Sequence, residues 1–274
     1  MGRNCGRREF LRTVGGAALA LPVGCANDRV NVAFVGERRA VSELQAACIQ
    51  VRGFHIARMC DLADPAIDAV CIATGEQWRA RMTVAACAAN KDVYVAAPVW
   101  ESIAEAEEMA AAARRYGRVV QAGSTRRSGG VFRRARSIVR SGELGGVAYC
   151  RIAGLDSLDL VHFVFDEEAP LSASVQRGPS GTLTTFRYPR AVVSCEPGSA
   201  GASFHGSGAT LLVDQDGCRI FGHDGGHAAM EEAGEDELVS HLRDWLECIR
   251  TRRAPAGEIG KVASVARARA LARA

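Results

Sequence analysis

A chain of 274 residues, 48% hydrophobic and 24% charged, has an ordinary globular composition and enough length to bury the core of one large or two modest domains. The net charge is only +3, with the charges interspersed, and of the 34 basic residues only Lys91 and Lys261 are lysines. Arginine richness without an aromatic-laced basic stripe is a coding bias, so no nucleic-acid partner is expected.

Residues 4–25 read NCGRREFLRTVGGAALALPVGC. Arg7-Arg8, then Phe10 and Leu11, then a mildly apolar run with two glycines, have the form of a twin-arginine export leader over residues 1–25. That leader implies a periplasmic or cell-envelope location. The run from Val14 to Val23 is too short to span a bilayer, so no transmembrane helix is expected. Ala18-Leu19-Ala20 offers a cleavage site; alternatively Gly24-Cys25 is a degenerate lipobox that would place a lipid anchor on Cys25.

From Val30 onward, short apolar strands alternate with helical segments. VNVAFVG predicts a strand ending at Gly36, AVSELQAACIQVR a helix, FHIARMCD a second strand ending at Asp61, and AIDAVCIAT a third ending at Thr74. A helix through Arg79–Ala89 leads into the strand VYV, which stops ahead of Pro98. SIAEAEEMAAAARRYG opens with Ser102 and a Glu three residues later, a capping-box pattern, and closes at Gly117; RVVQAG is the next strand. This alternation predicts an α/β domain over residues 30–124, a Rossmann-type parallel sheet with helices on both faces. Residues 125–274 read as an α+β domain with a largely antiparallel open sheet. FRRARSIVRSGELGG predicts a helix with a glycine stop, and VAYCRIAG, SASVQ, GTLTTFRYP, AVVSCEP, ASFHGSG and ATLLVDQDGCRIFG predict strands. Two closing helices follow, ELVSHLRDWLECIRTRR and KVASVARARALARA, the second read as a solvated basic face.

The ten cysteines fall singly, with no CxxC and no His at ligand spacing, so buried free thiols are expected, and an exported location permits disulfides that sequence cannot pair. His223 and His227 flank a glycine-rich loop rather than a helix, and no metal site is expected. His162 has helical spacing within LDLVHFVF and is expected to be structural.

Strand, glycine, helix over residues 30–48 is the setting for G-x-G-x-x-G, whose second glycine admits the pyrophosphate and whose third lets helix and strand pack closely. Here the series is Gly36-Glu37-Arg38-Arg39-Ala40-Val41, so Arg38 and Val41 stand at the second and third glycine positions. Gly36, Asp61 and Thr74 are the candidate cofactor contacts, Asp61 as the acid for a ribose; Arg38, by its charge, and Pro98 are secondary ones.

From Val32 onward the chain resembles the Gfo/Idh/MocA family, named for glucose–fructose oxidoreductase and inositol dehydrogenase. The stretches DAVCIATGEQW, AACAANKDVYVAAP, AAAARRYGRVVQAGSTRRS, FRRARSIVRSGELGGV and LDLVHFVFDEEAP carry the resemblance, joined by GTLTTFRYP, FHGSGATLLVD and HLRDWLECIRTRR. The resemblance implies a Rossmann domain plus an open-sheet domain, NAD or NADP as cofactor, hydride transfer on a sugar or polyol, and a homo-oligomer formed through the C-terminal sheet.

The departures from that family fall on its catalytic residues. The family's Glu-Lys-Pro after the fourth strand is Ala96-Ala97-Pro98, so Ala97 replaces the Lys that binds substrate and assists proton transfer. The usual Asp-His-Trp-His is Glu76-Gln77-Trp78-Arg79, and Asp156 stands where a second-domain His belongs. The chain also runs short after Asp61 and between Gly154 and Leu158. No general base remains in its family place, which implies an oxidoreductase by lineage with impaired catalysis. Two alternatives stand beside it: a site rebuilt on Glu76, Asp156 or Trp78, and a non-catalytic ligand-binding or interaction protein of the envelope.

Overall fold

A computed structural model describes residues 29–57, 61–97, 99, 102–166, 169–179, 181–196, 201–214, 217–222, 227–228 and 236–272. The leader, Cys25, Pro98, His223 and Asp224 lie outside them.

The first sheet has five parallel strands in the order β2-β1-β3-β4-β5, namely β1 (Val30–Gly36), β2 (Phe54–Ile56), β3 (Ala69–Ala73), β4 (Asp92–Val95) and β5 (Val120–Ala122). All of β3, β4 and β5 is buried, as strands covered on both faces must be. Helices α1 (Arg38–Gln50), α2 (Glu76–Ala88) and α3 (Ile103–Tyr116) make the crossovers. The capping box on α3 forms as predicted: Glu105 N–H donates to Ser102 Oγ at 3.3 Å, and Ser102 N–H to the Glu105 carboxylate at 3.2 Å. Gly117 closes that helix at φ 59°, a left-handed conformation that a Cβ would oppose.

Two sequence expectations change here. The second strand stops at Ile56, and Asp61 lies in an exposed turn instead, where its Oδ1 accepts from Ala63 N–H at 2.9 Å. Asp and Ala at that spacing build an Asx turn, which competes with an extended strand. The short path from β2 to β3 is tied down by Lys91, whose buried Nζ donates to the carbonyls of Asp64 at 2.6 Å and Ile67 at 2.8 Å.

The second sheet has eight strands in the order β13-β12-β11-β10-β6-β9-β8-β7, antiparallel except where β6 pairs with β9. In chain order these are β6 (Val147–Ile152), β7 (Ser172–Gly178), β8 (Gly181–Arg187), β9 (Val192–Cys195), β10 (Ala202–Gly206), β11 (Ala209–Val213), β12 (Cys218–Gly222) and β13 (His227–Ala228). Helices α4 (Gly130–Ser141) and α5 (Leu158–Phe165) cover one face, enclosing a core that includes Ile138, Val161, Phe186, Phe204 and Leu211. The other face carries Tyr149, Arg151, Ser194, Ser203 and His205, linked by short hydrogen bonds such as Tyr149 Oη to Ser194 Oγ at 2.6 Å.

The last two helices bind the domains together. Helix α6 (Glu237–Thr251) turns back onto the first sheet, where the fully buried Trp245 ring lies 5.7 Å from both Tyr94 and Phe54. Helix α7 (Ile259–Leu271) corrects the second expectation, because it is not a solvated face. Ile259 and Val262 enter the core of the first sheet, and Val265 and Ala268 that of the second. Its arginines lie outside this stripe, and Arg267 pairs with Glu107 of α3 at 2.9 Å.

A buried polar seam runs along the same junction. Arg127, 2% exposed, donates from Nε and Nη2 to Asp159 Oδ1 at 2.9 and 2.7 Å, and from Nη1 to the Ala256 carbonyl at 3.4 Å. His241 Nε2 lies 2.9 Å from the Ala122 carbonyl, which can only accept, so that nitrogen carries the proton and Nδ1 accepts from Ser128 O–H at 2.7 Å. His162 holds the opposite tautomer. Ser264 spends its hydroxyl proton on the Lys261 carbonyl, so His162 Nδ1–H donates to Ser264 Oγ and Nε2 accepts from Tyr188 O–H. Burial pushes both imidazoles down to about 4. The seven described cysteines Cys48, Cys71, Cys87, Cys150, Cys195, Cys218 and Cys248 are buried free thiols, as the spacing predicts.

Two tests follow from this junction. Arg127→Met strands the Asp159 carboxylate and is expected to remove about 3 kcal/mol of stability in urea unfolding, much of it regained in the Arg127→Met/Asp159→Leu double variant. The two histidines bind fewer protons folded than unfolded between pH 6.5 and about 4, so their stabilisation is complete above pH 6.5 and drains away as pH falls through that window. The loss is on the order of 3 kcal/mol per histidine, and His162→Gln should flatten the slope of the urea midpoint against pH by about half.

Candidate functional site

The carboxyl edge of a parallel sheet gathers the loops that follow each strand, and here it joins Gly36, Thr74, Ala97 and Gly123 along one crevice. Gly36 and Ala73 are paired across β1 and β3, and Glu37 N–H donates to the Ala73 carbonyl at 3.0 Å. Gly36 has φ 144°, and a Cβ built on it would collide with that carbonyl. Packing therefore accounts for this glycine whether or not a cofactor binds. Arg38 opens α1 and is exposed, and Arg39 beside it pairs with Glu43 at 3.2 Å in solvent. The Glu37 side chain does not cap α1, so the amide groups of its first turn point outward unengaged by a side chain.

Thr74 and the start of α2 form the middle of the crevice. Glu76 is half-buried, Gln77 is exposed, and Trp78 is 49% exposed with the Arg81 guanidinium 5.9 Å from its ring. Arg79 turns inward and is buried, and its Nε donates to the Thr74 carbonyl at 2.8 Å. Two buried polar atoms here lack a hydrogen-bond partner, Thr74 Oγ1 and Arg79 Nη1. At the end of β4, Ala97 is exposed and Ala96 half-buried, so this stretch of edge presents methyl groups. Gly123 keeps β5 close to it, since a Cβ there would come within 2.7 Å of Ala97 N.

The sequence candidates thus separate. Gly36 and Thr74 share the crevice, with Arg38 at its rim and Glu76 and Trp78 beside it. Asp61 occupies the turn after β2, and Pro98 lies outside the described residues. Asp156 falls in a single 3-10 turn, Leu155–Ser157, just ahead of α5 and the clasp residue Asp159. Neither lysine is available to the edge: Lys91 is buried at the amino end of β4, and Lys261 pairs with Asp166 at 2.8 Å. His162 and His241 are buried and neutral. Among the described residues no cluster of His, Cys, Asp and Glu can hold a metal ion, and no helix is long and apolar enough to cross a membrane. Sequence reasoning missed Arg79 as a buried cation, having treated its position only as a lost histidine, and a charged residue in the first turn of a helix carries no sequence signal of burial.

An anionic dinucleotide fits this edge. The helix N-terminus, the orphaned Thr74 hydroxyl and the orphaned Arg79 guanidinium are donors without acceptors, which an anion supplies. Replacing Gly36 by Ala should cost more than about 2 kcal/mol of stability through the collision and the positive φ. The expected measurement is a lowered urea midpoint that a saturating dinucleotide does not restore to the parent value.

Residues 17–124 match the Gfo/Idh/MocA family, described as an oxidoreductase family with an NAD-binding Rossmann fold. The uncharacterized oxidoreductase YrbE of Bacillus subtilis (strain 168) is 35% identical over 95 residues, 35% of this chain and 28% of that protein's length. Among solved structures, an NAD binding oxidoreductase from Klebsiella pneumoniae superposes with a TM-score of 0.76 at 16% identity, covering 89% of this chain and 97% of its own. Aldose-aldose oxidoreductase from Caulobacter crescentus, complexed with glycerol, gives 0.73 at 17% identity over 89% and 97%. An oxidoreductase from Agrobacterium radiobacter, in complex with NAD+, L-tartaric acid and magnesium, gives 0.72 at 14% over 89% and 96%. At these identities the structures show a shared two-domain fold, while the sequence match covers the stretch that holds the parallel sheet. Residues 17–124, which hold the first sheet, are thus similar to the Gfo/Idh/MocA oxidoreductase family.

Proposed function

We propose that this chain binds NAD(P) in the crevice above the first sheet but does not turn over a sugar or polyol at a rate typical of an oxidoreductase. The bound nicotinamide would accept or donate the hydride. Alcohol oxidation also releases a hydroxyl proton, and a protein group must take it within hydrogen-bond reach. The observation that carries the reading is the edge at Ala96-Ala97, where neither of the chain's two lysines nor a described accessible histidine is placed. What the chain's own residues do is bind and orient: Gly36 sets the loop, the first turn of α1 and Thr74 present donors, and Trp78 offers an exposed ring for an apolar ligand face.

A second reading is favoured by one observation, the half-buried Glu76 at the mouth of the same crevice, which is a carboxylate placed to serve as base in a rebuilt site. We also read residues 1–25 as a twin-arginine leader to the periplasm or envelope, with Cys25 as the anchor if it is lipidated. The open face of the second sheet is the surface by which copies would associate, or by which a non-catalytic envelope protein would meet its partner.

Titration with NADH, followed by nicotinamide fluorescence, tests the main reading. Saturable binding is expected, with no NAD(P)-dependent oxidation of glucose, myo-inositol or glycerol above the protein-free rate. Turnover abolished by Glu76→Gln would establish the second reading in its place.

A further inference from the structure

Arg79 and Arg127 are the buried arginines of the described chain, and they differ in one respect. Arg127 holds Asp159 at 2.7 Å. Arg79 is 7% exposed, has one hydrogen bond from Nε to a neutral carbonyl, and leaves Nη1 buried without a partner. The charged groups facing it are Glu76 on its own helix and Glu37 on the β1–α1 loop, and neither closes an ion pair with it. Burial accordingly outweighs their attraction and lowers the affinity of the guanidinium for its proton. Desolvating a cation without a hydrogen-bonded counter-ion costs several kcal/mol, so the fold alone gives no reason for an arginine here. An apolar side chain would fill the same space under α2 with less penalty.

Position supplies the reason. Nε is fixed to Thr74, the residue after Ala73, and Ala73 is both paired with Gly36 and bonded to Glu37 N–H. The guanidinium is therefore anchored to the residue that follows Ala73, the acceptor for the loop that opens α1, and the hydroxyl of that same Thr74 also lacks a partner. Glu37, the residue ahead of α1, is near enough for its charge to act on the Arg79 guanidinium, so the helix N-terminus, the Thr74 hydroxyl and the guanidinium lie along the same edge of the sheet, and all three can donate. Planar guanidinium donors match a phosphate better than a point charge does.

We propose that Arg79 is an anion receptor in the crevice floor, completing its hydrogen bonds on the diphosphate of a bound dinucleotide. This rests on the dinucleotide-binding reading above. Nη1 is buried, so the anion reaches it only after the side chains covering it move aside. The receptor also answers the loss of the second glycine: with Arg38 in that position, charge from Arg79 replaces close backbone approach.

The test titrates the purified full chain with inorganic pyrophosphate, ADP-ribose and adenosine by calorimetry, with thermal melts alongside. Pyrophosphate and ADP-ribose are expected to bind and to raise Tm, and Arg79→Met to weaken both by about ten-fold or more while adenosine is unaffected. Without added ligand, Arg79→Met should melt no lower than the parent, because the lost Nε bond is offset by removal of an uncompensated buried charge. Glu37→Gln, which leaves Arg79 in place, should tighten pyrophosphate binding. If the parent binds ADP-ribose and Arg79→Met binds it equally, the receptor is overturned and the dinucleotide reading stands. Arg79-dependent binding of pyrophosphate without affinity for ADP-ribose or NADH upholds the receptor and overturns that reading. If the parent binds none of these anions, both fall. An Arg79→Met protein that melts lower and still takes pyrophosphate shows the arginine to be structural.

Discussion

The seam between the two domains holds because a guanidinium has been taken out of water and fully answered. Arg127, in the 3-10 turn Thr125–Ser128 that follows β5, crosses to Asp159 at the start of α5, and reaches the carbonyl of Ala256 in the segment joining α6 to α7. Three parts of the chain, far apart in sequence, are thereby fixed by one side chain. An ion pair of this kind adds little net stability, since desolvation cancels most of the attraction, yet it penalises every arrangement that separates its members. Its worth is in specificity. The crevice above the first sheet has a defined second wall only if α5 and the eight-stranded sheet sit where the clasp holds them, and α7, with one end in each core, makes the same demand in apolar terms.

Much of this fold is legible in the sequence because its signals are local. The Ser102–Glu105 box, the αL glycine at Gly117 and the unbroken apolar run of β3 each specify structure within a few residues. Other readings failed where the deciding contact is distant. The run FHIARMCD looks extended, but Asp61 closes an Asx turn and the strand ends at Ile56. The arginine-rich last helix looks solvated because its polar positions are conspicuous, and only the packed structure shows that Val262, Val265 and Ala268 are shared between two cores. In the site, the small side chains of Ala96 and Ala97 at the end of β4 could be read directly. The burial of Arg79 could not, because a charged residue in a helical first turn ordinarily faces solvent.

The carboxyl edge of the first sheet can vary its side chains without damage to the fold, for a physical reason. Side chains at the carboxyl end of a parallel strand pack against little, so the exposed Ala97 leaves no cavity. The sheet beneath is held by other means: the paired register of β3 with β4, the buried strand residues, and Trp245 against Tyr94. Stability thus draws on residues other than those that line this edge.

That separation sets what a surviving residue is worth as an indication of function. Gly36 survives, but the closeness of β1 to β3 demands it with or without a ligand, so its presence argues nothing about a cofactor. Arg79 and Thr74 stand the other way. Each is buried with a polar atom unpaired, which lowers stability, and substitutions that would relieve the penalty are numerous. Residues whose retention the fold explains are neutral on function. A buried polar atom without a partner points the other way, and Thr74 and Arg79, two of the described residues that carry one, are joined by a hydrogen bond at the end of β3.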